Sequence, residues 1–350
     1  MIEFKTHFIP QNIAPKDANR IICFDENGSQ VGRIGLYGLT PPHNIGNKLY
    51  SFGAISDVHL STHSDYKTSI DDFERALTYF KNIDVAFIGV CGDCTGYGSY
   101  YDYQKWAEIR GNSGLTLYEV AGNHDATNAG IDNTQWKTCI GKELFYTVKQ
   151  GDDLFIFLSM NIWDNVNHNA YNAFNMDDLQ KLETALNNNK NKRIFLFQHC
   201  FYWEGSGNPN QSYNYDLMNG ADGERFFSII KNNTNVIWFH GHSHIIFETQ
   251  EQYAISNYDD ILGCHSIHIP SLTQPAHFVN GAREYISEGG TSTYSQGYVV
   301  DVYKNHIILN GINFVTGKQL PIATYCLDTP LQNVEAKTFI DTTGTITTSY

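Results

Sequence analysis

The sequence predicts an α/β fold in which strands and helices alternate to build a layered core. The first observation is a repeated unit, in which a short apolar run ends abruptly in Asp, His, Asn and Gly residues. Continuous apolar runs of this length are typical of buried strands. The second observation is that amphipathic helical patterns separate several of these runs. The chain has 350 residues, enough for one large domain or two smaller ones.

Five apolar runs mark the predicted core strands, and each leads directly into polar residues. In chain order the runs are Tyr50–Ile55, Val85–Val90, Leu115–Val120, Arg193–Phe197 and Val236–Phe239. In open α/β sheets, ligands bind at the edge formed by the carboxyl ends of the strands. We therefore expect the polar residues after the five runs to gather at one such edge.

Helical periodicity is clear at three places along the same part of the chain. The apolar positions on one face are Ile70, Phe73, Leu77 and Phe80 in the first pattern, Leu179, Leu182 and Leu186 in the second, and Phe226, Ile229 and Ile230 in the third. Asp177 and Asp178 stand where acidic residues stabilise the first turn of the second helix. The alternation of these helices with the strands supports the α/β class.

The two ends of the chain follow other patterns. Residues 1–48 predict an N-terminal β-hairpin appendage, because the β-like runs Arg20–Phe24 and Gln30–Leu36 flank an Asn-Gly turn sequence. Residues 49–320 form the predicted main domain. The Thr-rich residues 321–350 predict a C-terminal strand or tail.

Three late apolar runs have no helical pattern between them. They are Ser266–Ile269, Tyr298–Tyr303 and His306–Asn310. Because hairpin connections join antiparallel strands without helices, the runs predict an antiparallel meander that closes the sheets.

Composition and charge narrow the possible functions. The formal net charge is −14, and an acidic surface repels polyanions, so nucleic acid is disfavoured as a partner. The sequence has no signal-peptide pattern and no run near the ~20 apolar residues of a membrane span, so a soluble, cytoplasmic protein is expected. An odd number of Cys, seven, favours reduced thiols in the same setting. Cys91 and Cys94 form a C-x-x-C spacing without a second pair, so the spacing is better interpreted as accidental.

The residue types after the five runs indicate a metal site. They are Asp57 and His59, then Asp93, then Asn123 and His124, then His199, and finally His242 and His244. Imidazole and carboxylate ligands together suit Mn, Fe or Zn better than Mg or Ca alone. If the segment around Ser243 turns, the imidazoles on either side of it can serve different metals.

The spacing of these residues suggests which of them bind a metal ion and which one faces the substrate. Asp57 and His59 are two residues apart, so in an extended segment both point to the same side and can reach one metal. Asp93 offers a carboxylate with two oxygens, which can bridge two cations. Asn123 and His124 are adjacent and point apart, so the amide oxygen can bind a metal while His124 faces the substrate.

A pair of metals makes this set of residues suitable for one kind of chemistry. Two metals ~3.5–4 Å apart activate a bridging water as hydroxide and neutralise charge on a phosphoryl group during displacement. A nearby His can protonate the departing oxygen. The residues therefore predict metal-dependent hydrolysis of phosphate esters, with two divalent or trivalent metal ions as cofactors and a small phosphate ester as substrate.

The motif elements stand in a fixed order along the chain. They are Asp57-Val58-His59, Gly92-Asp93, Gly122-Asn123-His124-Asp125, His199 and Gly241-His242-Ser243-His244. This series resembles the signature of the calcineurin-like metallophosphoesterase superfamily, which implies a four-layer α/β/β/α sandwich around a dinuclear site. The implied ligands are Asp57, His59, Asp93 and His244 for the first metal, and Asp93, Asn123, His199 and His242 for the second. His124 is implied as the general acid or transition-state stabiliser.

One position departs from the family pattern. Many members carry an acidic residue or Asn three positions after the bridging Asp, where this chain has Gly96. If that residue supports the histidine of the motif, Asp125 is the candidate to support His124 here, and it is a predicted catalytic residue on that ground. The sequence around Asp93 is also similar to the branch that contains cyclic-nucleotide phosphodiesterases and purple acid phosphatases.

Two other functions stay open from the sequence alone. The first is a non-catalytic structural or binding member of the fold in a larger assembly such as a phage-like particle, with partners bound through the N- or C-terminal segments. The second is a nuclease, which the acidic balance and the absence of Lys/Arg runs disfavour. The leading prediction is a phosphodiesterase or phosphatase.

Several other His and aromatic residues have a plain structural interpretation. His63 fits a loop and His240 fits a strand interior. His265 and His268 are better interpreted as packed side chains than as substrate contacts. The run Phe201-Tyr202-Trp203 either walls the substrate pocket or packs under a loop, and the sequence favours neither.

Overall fold

The fold is given by a computed structural model, which describes fourteen stretches of the chain. They are residues 20–24, 30–35, 46–63, 68–126, 135–161, 173–200, 221–231, 233–249, 255–256, 264–279, 282–286, 293–328, 337–340 and 346–349. The predicted cluster Phe201-Tyr202-Trp203 lies outside them. Among the described helices, none has the length and apolar character to cross a membrane.

The described stretches contain strands β1 to β18, helices α1 to α4 and one short π-helix. In chain order they are β1 (Arg20–Phe24), β2 (Gln30–Gly35), β3 (Tyr50–Ile55), α1 (Ser69–Asn82), β4 (Ile88–Cys91), α2 (Tyr100–Ser113), β5 (Leu117–Val120), the π-helix (Trp136–Ile140), β6 (Phe145–Gln150), β7 (Asp153–Leu158), α3 (Met176–Asn188), β8 (Ile194–Phe197), α4 (Ala221–Ile230), β9 (Val236–His240), β10 (Ile255–Ser256), β11 (His265–His268), β12 (Ala276–Val279), β13 (Ala282–Tyr285), β14 (Gln296–Val302), β15 (His306–Asn313), β16 (Lys318–Asp328), β17 (Lys337–Ile340) and β18 (Ile346–Ser349).

The first large sheet has the strand order β16-β15-β14-β3-β4-β5. Strands β3, β4 and β5 are parallel, whereas β14, β15 and β16 extend the sheet in antiparallel fashion. The antiparallel pairing of β14 with β15 confirms what the runs Tyr298–Tyr303 and His306–Asn310 predict. The sheet therefore combines a parallel half, whose carboxyl ends face one edge, with an antiparallel half.

The second large sheet has the strand order β10-β11-β9-β8-β7-β6. Strands β7, β8, β9 and β11 are parallel, and β6 and β10 are antiparallel edge strands. The prediction that Ser266–Ile269 belongs to an antiparallel meander is wrong, because β11 lies parallel to β9. Residues 241–264 separate these two strands, which is long enough for the crossover that a parallel pair requires.

Three apolar clusters hold the sheets and helices together. The cluster between the sheets is rich in Phe; Phe52 of the first sheet meets Phe155 of the second edge-on at 5.2 Å. A second cluster joins α1 and α2 to the first sheet, with Phe73 stacked on Trp106 at 4.3 Å. A third joins α3 and α4 to the second sheet. The mixed α/β class is confirmed, and the four-layer α/β/β/α order stays a prediction, which these clusters support.

The helices begin and end where the sequence provides signals. In α1 three residues of the predicted face, Phe73, Leu77 and Phe80, are buried, and Ile70 is half-buried. Full burial of a side chain such as Phe73 contributes roughly 1.5–3 kcal/mol to the stability of the fold. Helix α2 is capped at its N-terminus by Ser99, whose hydroxyl accepts the Asp102 backbone N–H, and at its C-terminus by Gly114 in a left-handed conformation. Helix α3 is capped at its N-terminus by Asn175, whose side chain accepts the backbone N–H of Asp177.

Three small antiparallel pairs complete the described structure. Strands β1 and β2 pair as the sequence predicts. Strands β17 and β18 near the C-terminus pair with each other, a pairing that the sequence does not predict. Strands β12 and β13 form the third pair, and Ala276 of β12 bridges to Ile245. The domain limits at residues 48 and 320 stay predictions.

Candidate metal centre

The predicted ligands converge at one edge, where β3, β4, β5, β8 and β9 end. Short backbone and side-chain bonds join the segments that follow these strands. The backbone N–H of His242 donates to Asp57 Oδ2 at 2.9 Å, and that of His124 donates to Asp93 Oδ1 at 2.8 Å. The backbone N–H of Gly241 donates to the carbonyl of His199 at 2.9 Å. Side chains far apart in sequence are thereby held within one small volume.

The backbone at this edge adopts conformations that L-residues rarely take. Among the described non-glycine residues, left-handed φ values occur at six positions, five of which are predicted ligands. These five are Asp57 (51°), His59 (46°), Asp93 (48°), His242 (71°) and His244 (65°). Left-handed backbone costs about 1–2 kcal/mol per residue, and such strain clusters at functional sites. Here it turns the side chains inward at the end of each strand.

Two groups of ligand atoms are close enough to hold metal ions. In each group the donor atoms all lie within 4.8 Å of one another, and all the residues are buried. The first group is Asp57, His59, Asp93 and His244, and the second is Asp93, His199 and His242. The carboxylate of Asp93 belongs to both groups, as a bridging ligand must.

Asn123 joins the second group through its amide oxygen. Asn123 Oδ1 lies 3.0 Å from His199 Nε2, and His242 Nδ1 lies 3.2 Å from the same nitrogen. The two groups thus bring together the same eight ligand positions, with Asp93 counted twice, that the family resemblance implies.

Buried polar atoms at the centre fit bound cations. Asp57 Oδ1 and Asp93 Oδ2 accept no hydrogen bond from the described residues, although His244 Nε2 lies 3.1 Å from the first and His199 Nε2 lies 3.3 Å from the second. His59 Nε2 and His244 Nε2 face each other at 3.2 Å. Buried charges of this kind are costly unless they are paired or coordinate a metal. Carboxylate, amide and imidazole donors together suit transition metals.

Backbone carbonyls orient two of the imidazoles. His199 Nδ1 lies 2.7 Å from the carbonyl oxygen of Cys91, and His244 Nδ1 lies 2.9 Å from that of Gln274. A carbonyl can only accept, so each Nδ1 carries the proton and donates it. In the neutral form of each ring Nε2 then carries the lone pair, which is the usual arrangement of a metal-binding His.

The charges of the site shift the pKa values of its members. Burial alone would raise the pKa of Asp57, but the imidazoles of His244, His199 and His59 outweigh it and hold that pKa well below its usual value. Burial would lower the pKa of His199, but the carboxylates of Asp93 and Asp57 raise it to about 9. A cation that binds at His199 must therefore displace a proton, so metal affinity rises with pH.

His124 is held beside the two groups by a backbone atom. Its ring lies edge-on to that of His59, with centroids 4.5 Å apart, and its Nδ1 donates to the carbonyl oxygen of Gly96 at 2.8 Å. Gly96, which lacks the polar side chain of many family members, thus still supports His124 through its backbone carbonyl. This contact could not be predicted from the sequence, because every residue has a backbone carbonyl.

The carboxylate of Asp125 does not contact the ring of His124, which the sequence predicts that it supports. Its carboxylate accepts the backbone N–H groups of Cys94, Thr95 and Gly122 and the hydroxyl of Thr95, at 2.8–3.0 Å. Among the described contacts none joins its carboxylate to the His124 ring. Asp125 therefore fastens the loop after β4 to the loop after β5, and its effect on His124 is indirect. Burial, and then the charge of Asp93, raise its pKa to about 6.

The other histidines near this edge are packed side chains. His240 is fully buried, and its Nε2 lies 2.8 Å from Ser266 Oγ. His268 Nε2 lies 2.6 Å from the hydroxyl of Ser243, which stands between two ligands. His265 is also buried, whereas His63 is exposed and contacts the ring of Tyr97. His268 thus contacts the loop that carries the predicted ligands His242 and His244, whereas His240 contacts β11.

Gly92, which follows β4, lies against the side chain of the predicted ligand His199, and this contact can be tested. Its φ is 86°, and a Cβ there would lie 2.6 Å from atoms of the His199 side chain. We expect Gly92→Ala to lower both the free energy of unfolding and the metal content. The matched control is Gly114→Ala, because Gly114 has φ 72° but open space around it. The free energy of unfolding of the control should fall by only about 1–2 kcal/mol, because Ala is disfavoured in a left-handed backbone conformation. If urea unfolding showed the same loss of stability in both variants, and both kept their full metal content, the contact between Gly92 and His199 would have no role in metal binding.

His268 makes stability depend on pH. Burial lowers its pKa to about 3, below the value of about 6.5 in an unfolded chain. The unfolded state therefore binds an extra proton below pH 6.5, and stability is lost as the pH falls from about 6.5 towards 3. We expect His268→Gln to reduce this loss by up to about 1.4 kcal/mol per pH unit. This effect is measured by urea unfolding of the metal-free wild type and variant between pH 4 and 7. If the free energy of unfolding depended on pH in the same way in both chains, His268 would not be the responsible group.

Comparison with known proteins agrees with this geometry. Residues 50–245 match the family described as calcineurin-like phosphoesterase. The chain is similar to a dimetal phosphatase from Danio rerio, at 14% identity and TM-score 0.57, over 81% of this chain and 100% of that one. It is also similar to the purple acid phosphatase PPD1 of yellow lupin (Lupinus luteus), at 12% identity and TM-score 0.53, over 87% of this chain and 58% of that one. Among curated proteins no match is found.

The structural similarities, at these low identities, concern the fold. The family match spans more than half of the chain and contains every motif element from Asp57 to His244. It confirms the resemblance that the ordered motifs indicate. The chain belongs to the calcineurin-like phosphoesterase family.

Proposed function

We propose that the protein hydrolyses small phosphate esters, as a phosphatase or phosphodiesterase, with two metal ions. The observation that carries this proposal is the carboxylate of Asp93, which belongs to both groups of ligand atoms and also accepts the backbone N–H of His124. One side chain thus links both cation positions to the proposed catalytic histidine. Family membership supports the same class of reaction.

The proposed ligands follow the two groups. Asp57, His59, Asp93 and His244 hold the first ion, and Asp93, Asn123, His199 and His242 hold the second. When bound, such a pair of Mn, Fe or Zn ions polarises a phosphoryl oxygen and supplies a nucleophile from water at neutral pH. The strained backbone keeps the ligands in place before substrate arrives, so little reorganisation is needed during the reaction.

His124 is the proposed proton donor to the leaving oxygen. With Nδ1–H on the carbonyl of Gly96, the imidazolium form presents its second proton on Nε2. His124 is half-buried beside the fully buried ring of His59, so it lies at the open side of the ligand groups. General acid catalysis of this kind contributes typically 10²–10⁴-fold to the rate.

The non-catalytic alternative draws on the N- and C-terminal segments and, to a lesser degree, on Gly96, which lacks a side chain to orient the catalytic histidine. The Gly96 carbonyl supplies that contact, so the departure from the family pattern leaves His124 in position. The net charge of −14 continues to disfavour nucleic acid as substrate, and a cytoplasmic location is part of the proposal.

The test is turnover after defined metal loading. The chain is stripped with a chelator and reloaded with Mn²⁺, Zn²⁺ or Fe²⁺, then assayed with nitrophenyl phosphate, bis(nitrophenyl) phosphate and alkyl phosphates. We expect metal-dependent turnover of at least one ester class, and the preferred ester separates phosphatase from diesterase. Absence of turnover with every metal, in a chain that holds two ions, would favour the binding module.

A further inference from the structure

A small hairpin packs directly onto the metal-binding loop. Ala276 of β12 forms a bridge with Ile245, and its backbone N–H donates to the carbonyl of His244 at 2.9 Å. Ala276 also pairs with Tyr285 across the two strands. The position of β13 is thereby fixed relative to the ligands that follow β9.

Two side chains of β13 reach the metal centre. Arg283 and Tyr285 are two residues apart on one strand, so both project from the same face. The Tyr285 ring contacts that of His244, with centroids 5.6 Å apart, and the Arg283 guanidinium lies over the Tyr285 ring at 4.9 Å. Arg283 Nη1 also donates to the carbonyl of Ser243 at 3.2 Å. A cation therefore stands beside the residue between two ligands.

We infer that Arg283 binds a phosphoryl oxygen of the substrate and of the inorganic phosphate product. This inference rests on the proposed function, since it assigns the anion to the same site. The guanidinium is planar and permanently charged, and its fork of N–H donors matches the oxygens of a phosphate group. The bond to Ser243 and the stacking on Tyr285 restrict its orientation, which reduces the entropy lost on binding.

The electrostatic surroundings agree with an anion subsite on this side. In a chain of net charge −14, Arg283 places a positive charge next to Ser243, the residue between His242 and His244. Both carboxylates of the ligand groups, Asp57 and Asp93, are engaged with imidazoles on the inner side. A bound phosphate would thus lie between Arg283 on one side and the two proposed metal ions on the other.

The experiment is calorimetric titration of inorganic phosphate into the Mn²⁺-loaded chain, with metal content measured on each sample. We expect Arg283→Gln to keep both ions and to weaken phosphate binding about 10- to 100-fold, the loss typical of a hydrogen-bonded charge pair. Arg283→Lys should retain part of the affinity, because the charge remains but the fork is lost. The matched control is Arg225→Gln, since Arg225 pairs with Glu183 between two helices.

Three results would overturn the inference. One is phosphate affinity in Arg283→Gln within about twofold of the wild type. Another is a wild-type chain that holds two ions and does not bind phosphate. The third is loss of metal in both Arg283 variants, which would assign the residue to the loop around Ser243. Phosphate binding without ester turnover would instead refute the proposed function and leave only the phosphate site at Arg283 standing.

Discussion

Replacing Asp93 with Asn is expected to abolish detectable turnover, lowering kcat/KM by at least about a thousandfold. The substitution keeps the shape of the side chain but removes the charge that both ligand groups share. Metal ions contribute several kcal/mol to the stabilisation of phosphoryl transition states, and each 1.36 kcal/mol is tenfold in rate. We also expect metal content to fall, and a chelator to lower the unfolding temperature of the wild type much more than that of the variant.

The matched control for this prediction is Asp153→Asn. Asp153 is equally buried, but its carboxylate forms two bonds with Arg193, at 2.7 and 3.0 Å, at the amino end of β7. Breaking that pair should destabilise the fold, and metal content and kcat should be unchanged. If Asp93→Asn and Asp153→Asn lowered stability and turnover alike, the shared-carboxylate role would be wrong.

The second large effect is expected for His124→Asn, which should keep both metals and lower kcat by about 10²–10⁴-fold. The loss should depend on the leaving group. An alkyl alkoxide needs a proton as it departs, whereas a nitrophenolate leaves readily without one. The ratio of turnover on alkyl and nitrophenyl esters therefore separates proton donation from a general disturbance of the site.

The comparison variant for His124 is His63→Asn. His63 is exposed, and its described ring contact is with Tyr97 rather than with a ligand. We expect it to leave kcat and the ester ratio unchanged. A uniform loss on both ester types in His124→Asn would assign that residue to transition-state charge stabilisation, and no loss would remove it from the mechanism.

The strands and the ligand types were predictable because their signals are local. Buried parallel strands need continuous apolar runs, which can be read directly from the sequence. The chain turns where each run ends, and Asp, His and Gly residues follow there in a recognisable order. The run Tyr50–Ile55 is strand β3 to the residue, and Asp57 and His59 follow it as expected. Helix α1 shows the same agreement, because apolar residues recur on one of its faces at helical spacing, as predicted from Ile70, Phe73, Leu77 and Phe80.

The rest depends on long-range packing, for which one sequence has no signal. The direction of β11 is set by a crossover between distant segments, and a run such as Ser266–Ile269 fits either direction equally well. The support of His124 by the Gly96 carbonyl involves a main-chain atom that every residue possesses. Arg283 reaches the centre through a hairpin forty residues after Ser243, so its role emerges only once β12 and β13 are placed.

The metal content of the wild type, His59→Asn and His199→Asn tests the central claim most directly. Each variant removes one ligand from a different group, while Asp93 and the remaining ligands stay in place. Elemental analysis after loading with Mn²⁺ should find two ions per chain in the wild type and about one in each variant. A wild type that holds fewer than two ions, or variants that both keep two, would contradict a dinuclear centre built from these side chains.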